Sequence, residues 1–113
     1  MSQIKNKEQL TIDVLMDDNL IPESIEWKSS QENKPSQTAS AALIYFWNAK
    51  KSETFNLDLW TKEMMVDEMK YFHFQTLMTL ADSLDQSTKE NVVAEKIRKF
   101  GMQIGKEMDI LTK

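Results

Sequence analysis

From Thr61 to about Leu84 the sequence is apolar on two sides of what reads as one long helix. At about 100° per residue, Met65, Val66, Met69, Phe72, His73, Thr76, Leu77, Leu80 and Leu84 fall on a main stripe. Met64, Tyr71, Phe74, Met78 and Ala81 fall on a second stripe, roughly 160° away on the same stepping. Only Glu68, Gln75, Thr79 and Asp82 make a clearly polar side. A helix apolar on two sides must be packed on both, here between a sheet and another helix. Thr61 reads as its N-cap and Glu63 lies in its first turn, where negative charge suits the helix dipole. The other helix follows. Ser87-Thr88-Lys89-Glu90 has the form of a capping box, and Val93, Ile97, Phe100, Ile104, Met108 and Leu111 make one apolar stripe. Gly101 and Gly105 each cost about 1 kcal/mol of helix propensity and admit another backbone at close range. The pair reads as an αα-hairpin turning at Asp85-Gln86.

Upstream the period changes from 3.6 to 2. Leu10, Ile12, Val14 and Met16 alternate with Thr11 and Asp13, which predicts a strand with one buried face. Asp17-Asp18-Asn19 and the nearby Pro22 mark a turn, and Ile25-Glu26-Trp27-Lys28 reads as a shorter strand. So short a connection holds no crossover helix, so the two pair antiparallel; the rival is a loop around Pro22 leading to an unpaired extended segment. Ser29 to Gln37 has no apolar residue and reads as a flexible loop. From about Ser36 to Ala49, the spacing of Ala39, Ala42, Leu43, Phe46 and Trp47 predicts a short amphipathic helix. Phe55, Leu57 and Leu59 then define a third strand. The expected fold class is α+β: a three-stranded antiparallel sheet packed by helices, in the order ββαβαα with a C-terminal αα-hairpin.

At 113 residues the default is one domain, expected over residues 9–113 behind a flexible start at 1–8. The net charge of -4 argues against non-specific binding to nucleic acid or an anionic membrane. With no cysteine, disulfides, thiolate catalysis and Cys-ligated zinc are excluded. No secretory signal, lipoprotein anchor or bilayer-length apolar run is read from the sequence, so the expected location is the cytoplasm.

Reactive chemistry is sparse. His73, the single histidine, lies on the main apolar stripe. It could be a general base or metal ligand, but no second histidine completes a site, and a core or boundary imidazole with one hydrogen-bond partner is the preferred reading. Glu63 and Asp67, four apart, could hold a hard cation or do acid–base work; a solvated helix start is preferred. Asp17-Asp18-Asn19 lacks the spaced ligands of a calcium loop. Two glycines in the chain leave no phosphate-cradling loop. Four of the eight methionines (Met64, Met65, Met69 and Met78) lie on the long helix, as core filling or as an adaptable groove. Trp47 and Trp60 are expected to be mostly buried, with exposed anchors as the alternative.

With these residues placed, the stretch Leu57-Asp58-Leu59-Trp60-Thr61-Lys62-Glu63-Met64-Met65-Val66-Asp67-Glu68-Met69-Lys70 resembles the gliding-motility protein GldC family of Bacteroidetes. The likeness continues through Phe74-Gln75-Thr76-Leu77 and Ala81-Asp82, and appears around Val14 and across Pro22-Glu23-Ser24-Ile25-Glu26-Trp27. The resemblance implies a small accessory of the gliding apparatus and its coupled protein secretion, and brings no catalytic or ligand residues. The expectation is a non-enzymatic adaptor without a cofactor or metal, contacting a motility or secretion component through Trp60, Met64, Asp67 and Tyr71. The rival is a chaperone-like or homo-oligomeric scaffold using the C-terminal stripe and Gly101/Gly105; an enzyme or metal protein built on His73 or Glu63/Asp67 is the third reading.

Overall fold

A computed structural model describes residues 6–31 and 34–111. The element order is β1 (Leu10–Met16), β2 (Pro22–Ser29), β3 (Gln37–Ala39), β4 (Ala41–Asn48), β5 (Glu53–Trp60), α1 (Val66–Thr88) and α2 (Asn91–Glu107). The class is α+β, with antiparallel sheets and a C-terminal helix pair. The chain divides into two compact units, one ending at Met64 and one beginning at Met65. The frayed start expected at residues 1–8 falls mostly outside the described residues, as do positions 32 and 33 of the polar loop.

In the first unit β1, β2 and β3 form the three-stranded sheet. Ile12 lies opposite Trp27, Val14 opposite Ile25, and Ile25 opposite Ala39. Those residues share one face, while Thr11, Asp13, Glu26, Lys28 and Thr38 share the other. Ile25, on the middle strand, is 1% exposed. The hairpin turn uses the expected acidic cluster. The Asp17 carboxylate accepts the backbone N–H groups of Asn19 (2.8 Å) and Ile21 (3.1 Å), an Asx-type turn. Leu20 sits there at φ 62°, a left-handed conformation that is strained for a branched side chain.

Two expectations fail around β4. No helix forms over Ser36–Ala49; β3 and β4 occupy 37–48, broken only at Ser40. The third strand of the sheet is therefore β3, while the strand expected at Phe55–Leu59 becomes β5 and pairs with β4 in a separate two-stranded ribbon. The cause is the unbroken apolar run Ala41–Trp47, which satisfies a period of 2 as well as 3.6. Its aromatic and β-branched content favours a pleated surface, and pairing of Ile44 with Leu57 and Phe46 with Phe55 decides the outcome. Asn48 closes the turn by accepting the Lys51 N–H at 3.1 Å, and Ser52 takes φ 52°.

The long helix begins at Val66, not Thr61. Thr61 is committed to the sheet: both its backbone N–H and its hydroxyl donate to the Ser40 carbonyl at 2.9 Å, and the residue is buried. The helix start is instead closed by Glu68, whose carboxylate accepts the Met65 N–H at 3.3 Å. At the other end α1 continues to Thr88, so the turn lies at Lys89-Glu90 and not at Asp85-Gln86. Ser87 does not cap α2. The Ser87 and Thr88 hydroxyls donate backward to the Leu84 carbonyl at 3.4 and 2.6 Å, and Lys89 ends α1 at φ 63°.

In the second unit the helices pack through small residues. Ala81, Ala94, Gly101 and Gly105 are buried. A Cβ at Gly101 would lie 2.8 Å from Met78 Sδ, and one at Gly105 would lie 2.6 Å from Leu111 Cδ1. The close approach these glycines allow is thus used inside the helix pair. Arg98 closes the seam with hydrogen bonds to Asp82 (2.8 and 3.1 Å) and Glu95 (3.2 Å). These bonds, Asp82 first, stabilise the charged guanidinium and raise its pKa.

Candidate functional site

The first unit presents aromatic surface along the β4–β5 ribbon. The strand register puts Ala42, Ile44, Phe46, Phe55, Leu57 and Leu59 on one face. The opposite face carries Ala41, Leu43, Tyr45, Trp47 and Trp60 beside Thr54, Asn56 and Asp58. Trp47 is 66% exposed and Trp60 56%, so neither tryptophan is mostly buried as expected. The reason is the ribbon itself: with only two strands, it has no further strand in the sheet to cover its flanks. Tyr45, Phe46 and Phe55 are exposed too. Reading 36–49 as a helix missed this surface. The signal that could have found it is the alternation of Phe55, Leu57 and Leu59 facing a seven-residue apolar run across a polar turn.

Trp60 stands at the end of β5 and lines a shallow cleft with Ile21, Pro22, Asp58, Leu59 and Lys62. Two backbone bonds hold this corner: Thr61 N–H to Ser40 O at 2.9 Å and Lys62 N–H to Pro22 O at 3.0 Å. The Lys62 ammonium bridges Glu23 at 3.0 Å and Asp17 at 3.2 Å. Hydrogen bonding to Glu23 and then Asp17 raises the Lys62 pKa, while the Ile21 N–H leads the contacts that lower the Asp17 pKa. A depressed folded-state pKa gives stability that is full above the unfolded aspartate value and is lost as pH falls through the folded one. Acid unfolding followed by circular dichroism should therefore be shallower below about pH 4 in Asp17→Asn than in the parent. An unchanged slope would remove Asp17 from the acid response.

The four residues expected to contact a partner are divided between the units. Trp60 and Met64 belong to the first, the former exposed and the latter half-buried; Asp67 and Tyr71 are exposed in the first turns of α1 in the second. The rest of the helix start is also apolar and exposed at Met65 and Val66. Asp67 lies 3.9 Å from Lys70, a surface pair of small energetic weight. Glu63 precedes α1, so Glu63 and Asp67 do not form a helical i, i+4 pair.

His73 is exposed on α1, and its Nδ1–H donates to the Met69 carbonyl at 2.9 Å. Among the described residues it has this one hydrogen-bond partner, at an exposed position and not in the core. Among the described residues, no group of three or more histidine, aspartate or glutamate side chains is placed to hold a metal ion. No helix among them is long and apolar enough to cross a membrane.

Comparison with protein families matches residues 22–110 to a family described as gliding motility-associated protein GldC-like. No curated protein matches the chain. No solved structure matches it.

Proposed function

Because the chain belongs to the GldC-like family of gliding motility-associated proteins, we propose that it is a non-enzymatic cytoplasmic adaptor acting through protein–protein contact. Its partner is a component of the motility apparatus or of the protein secretion coupled to it. The observation that carries the reading is Trp60. It is a large aromatic residue left exposed beside Ile21 and Pro22, on a corner held by backbone bonds and the Lys62 ion pairs. An exposed tryptophan on a fixed frame, with a charged rim, is the kind of anchor that dominates protein interfaces. Met64, Asp67 and Tyr71 are the further contacts proposed.

Capture of tagged protein from native cells, with cross-linked partners identified by mass spectrometry, tests the reading. The expected result is a motility or secretion component with the parent protein and its loss with Trp60→Ala. The thermal midpoint should stay nearly unchanged, because the side chain is exposed. A large stability loss would return Trp60 to a structural role, and recovery of the bait alone would count against an adaptor.

A further inference from the structure

The strand edges are not equally protected. A free edge invites pairing with another chain, and proteins guard against it with charges, short strands, proline or bulges. The outer strand β1 carries Asp13 and an irregular register between Leu15 and Met16. The outer strand β3 has only three residues. In the ribbon, β5 carries Glu53 and Asp58. The eight residues of β4 contain no charge and no proline, and its pairing with β5 runs from Ala41 to Asn48 without a bulge. Among the described residues β4 is paired by β5 alone, so its second edge has no strand partner.

We infer that β4 pairs antiparallel with β4 of a second copy of this chain, joining two ribbons into a four-stranded sheet. An isolated two-stranded ribbon is marginal in water, and further strands are one way to stabilise it. The sequence suits self-pairing about Ile44. With Ile44 on the two-fold axis, Ala41 faces Trp47, Ala42 faces Phe46 and Leu43 faces Tyr45. Two alanines thus meet Trp47 and Phe46, Leu43 packs on the Tyr45 ring, and the uncharged strand meets its copy without like-charge repulsion. A second copy is favoured over a different chain because this one register satisfies both conditions. The inference is independent of the partner contact at Trp60.

Sedimentation velocity at about 100 μM, where even a modest dimer is populated, should give twice the 13.2 kDa chain mass. Tyr45→Lys/Trp47→Lys changes two exposed side chains and should give the single-chain mass with unchanged circular dichroism. The absence of native cysteine permits a second measurement that keeps the fold. In Ile44→Cys the two thiols would face each other across the axis, at the roughly 4.5–5.5 Å Cα spacing a disulfide accepts. In Asn48→Cys they would be eight positions apart along the strand, about 27 Å at 3.4 Å per residue. Rapid oxidation at position 44 but not at 48 supports the pairing. A monomeric parent, a lysine variant that stays dimeric, or equal cross-linking at both positions would overturn it.

Discussion

Ile25→Ala is expected to cost about 2–5 kcal/mol of stability, the range for truncating a buried isoleucine. Ile25 is the largest fully buried side chain among the described residues, on the middle strand of its sheet, between Val14 and Ala39. Both neighbours extend from paired backbones, so the surroundings collapse poorly into the space left by the lost methylenes. The cost then approaches transfer plus cavity. Equilibrium urea unfolding measures it, and Ile25→Val should lose only about 0.5–1.5 kcal/mol on the same scale. Losses below 1 kcal/mol in the alanine variant would mean that the sheet is held elsewhere.

Gly105→Val should be the most damaging change in the helix pair. The first added carbon would meet Leu111 at 2.6 and 2.9 Å and the Phe74 ring at 3.0 Å. Valine adds two methyls beyond that point, so α2 must move away from Phe74 or unseat Leu111; overpacking of this kind costs about 1–3 kcal/mol. Gly101→Ala is the informative contrast. There the nearest atom is the flexible Met78 Sδ at 2.8 Å, with Leu77 at 3.4 Å. Alanine gains about 1 kcal/mol of helix propensity, which offsets a small shift of Met78. Thermal melts at 222 nm should rank the parent and Gly101→Ala together and Gly105→Val well below. Equal midpoints for all three would show that the helices tolerate a wider separation.

These two sites also separate what local pattern could and could not supply. The alternation from Leu10 to Met16, the Asp17 turn and the antiparallel partner at Ile25–Lys28 were legible because each depends on neighbours within about twenty residues. The paired C-terminal helices were legible for the same reason, from one clean stripe in α2 and one of the two on α1. α1 meets the α2 glycines through Phe74 and Met78 of the second stripe and through Leu77 of the main one. The main stripe leaves Met65, Val66 and Leu80 exposed.

Boundaries were lost wherever a polar side chain had two uses. Thr61 has the chemistry of a helix cap, but a carbonyl twenty-one residues away takes its hydroxyl. Ser87 has the chemistry of the next cap, yet it bonds backward into α1. The apolar part of the helix expected over 36–49 is ambiguous for a related reason. Its apolar run fits a helix and a strand alike, and only the β5 partner distinguishes them.

Local pattern along the chain suffices for an α+β protein with an N-terminal antiparallel hairpin, two C-terminal helices, little reactive chemistry and a resemblance to a motility family. Tertiary structure alone decided that Ala41–Asn48 is a strand, that β5 joins it and not the first sheet, and that Trp47 and Trp60 face solvent. Local periodicity records which side chains could share a face. Pairing between distant strands decides which face forms and whether anything covers it.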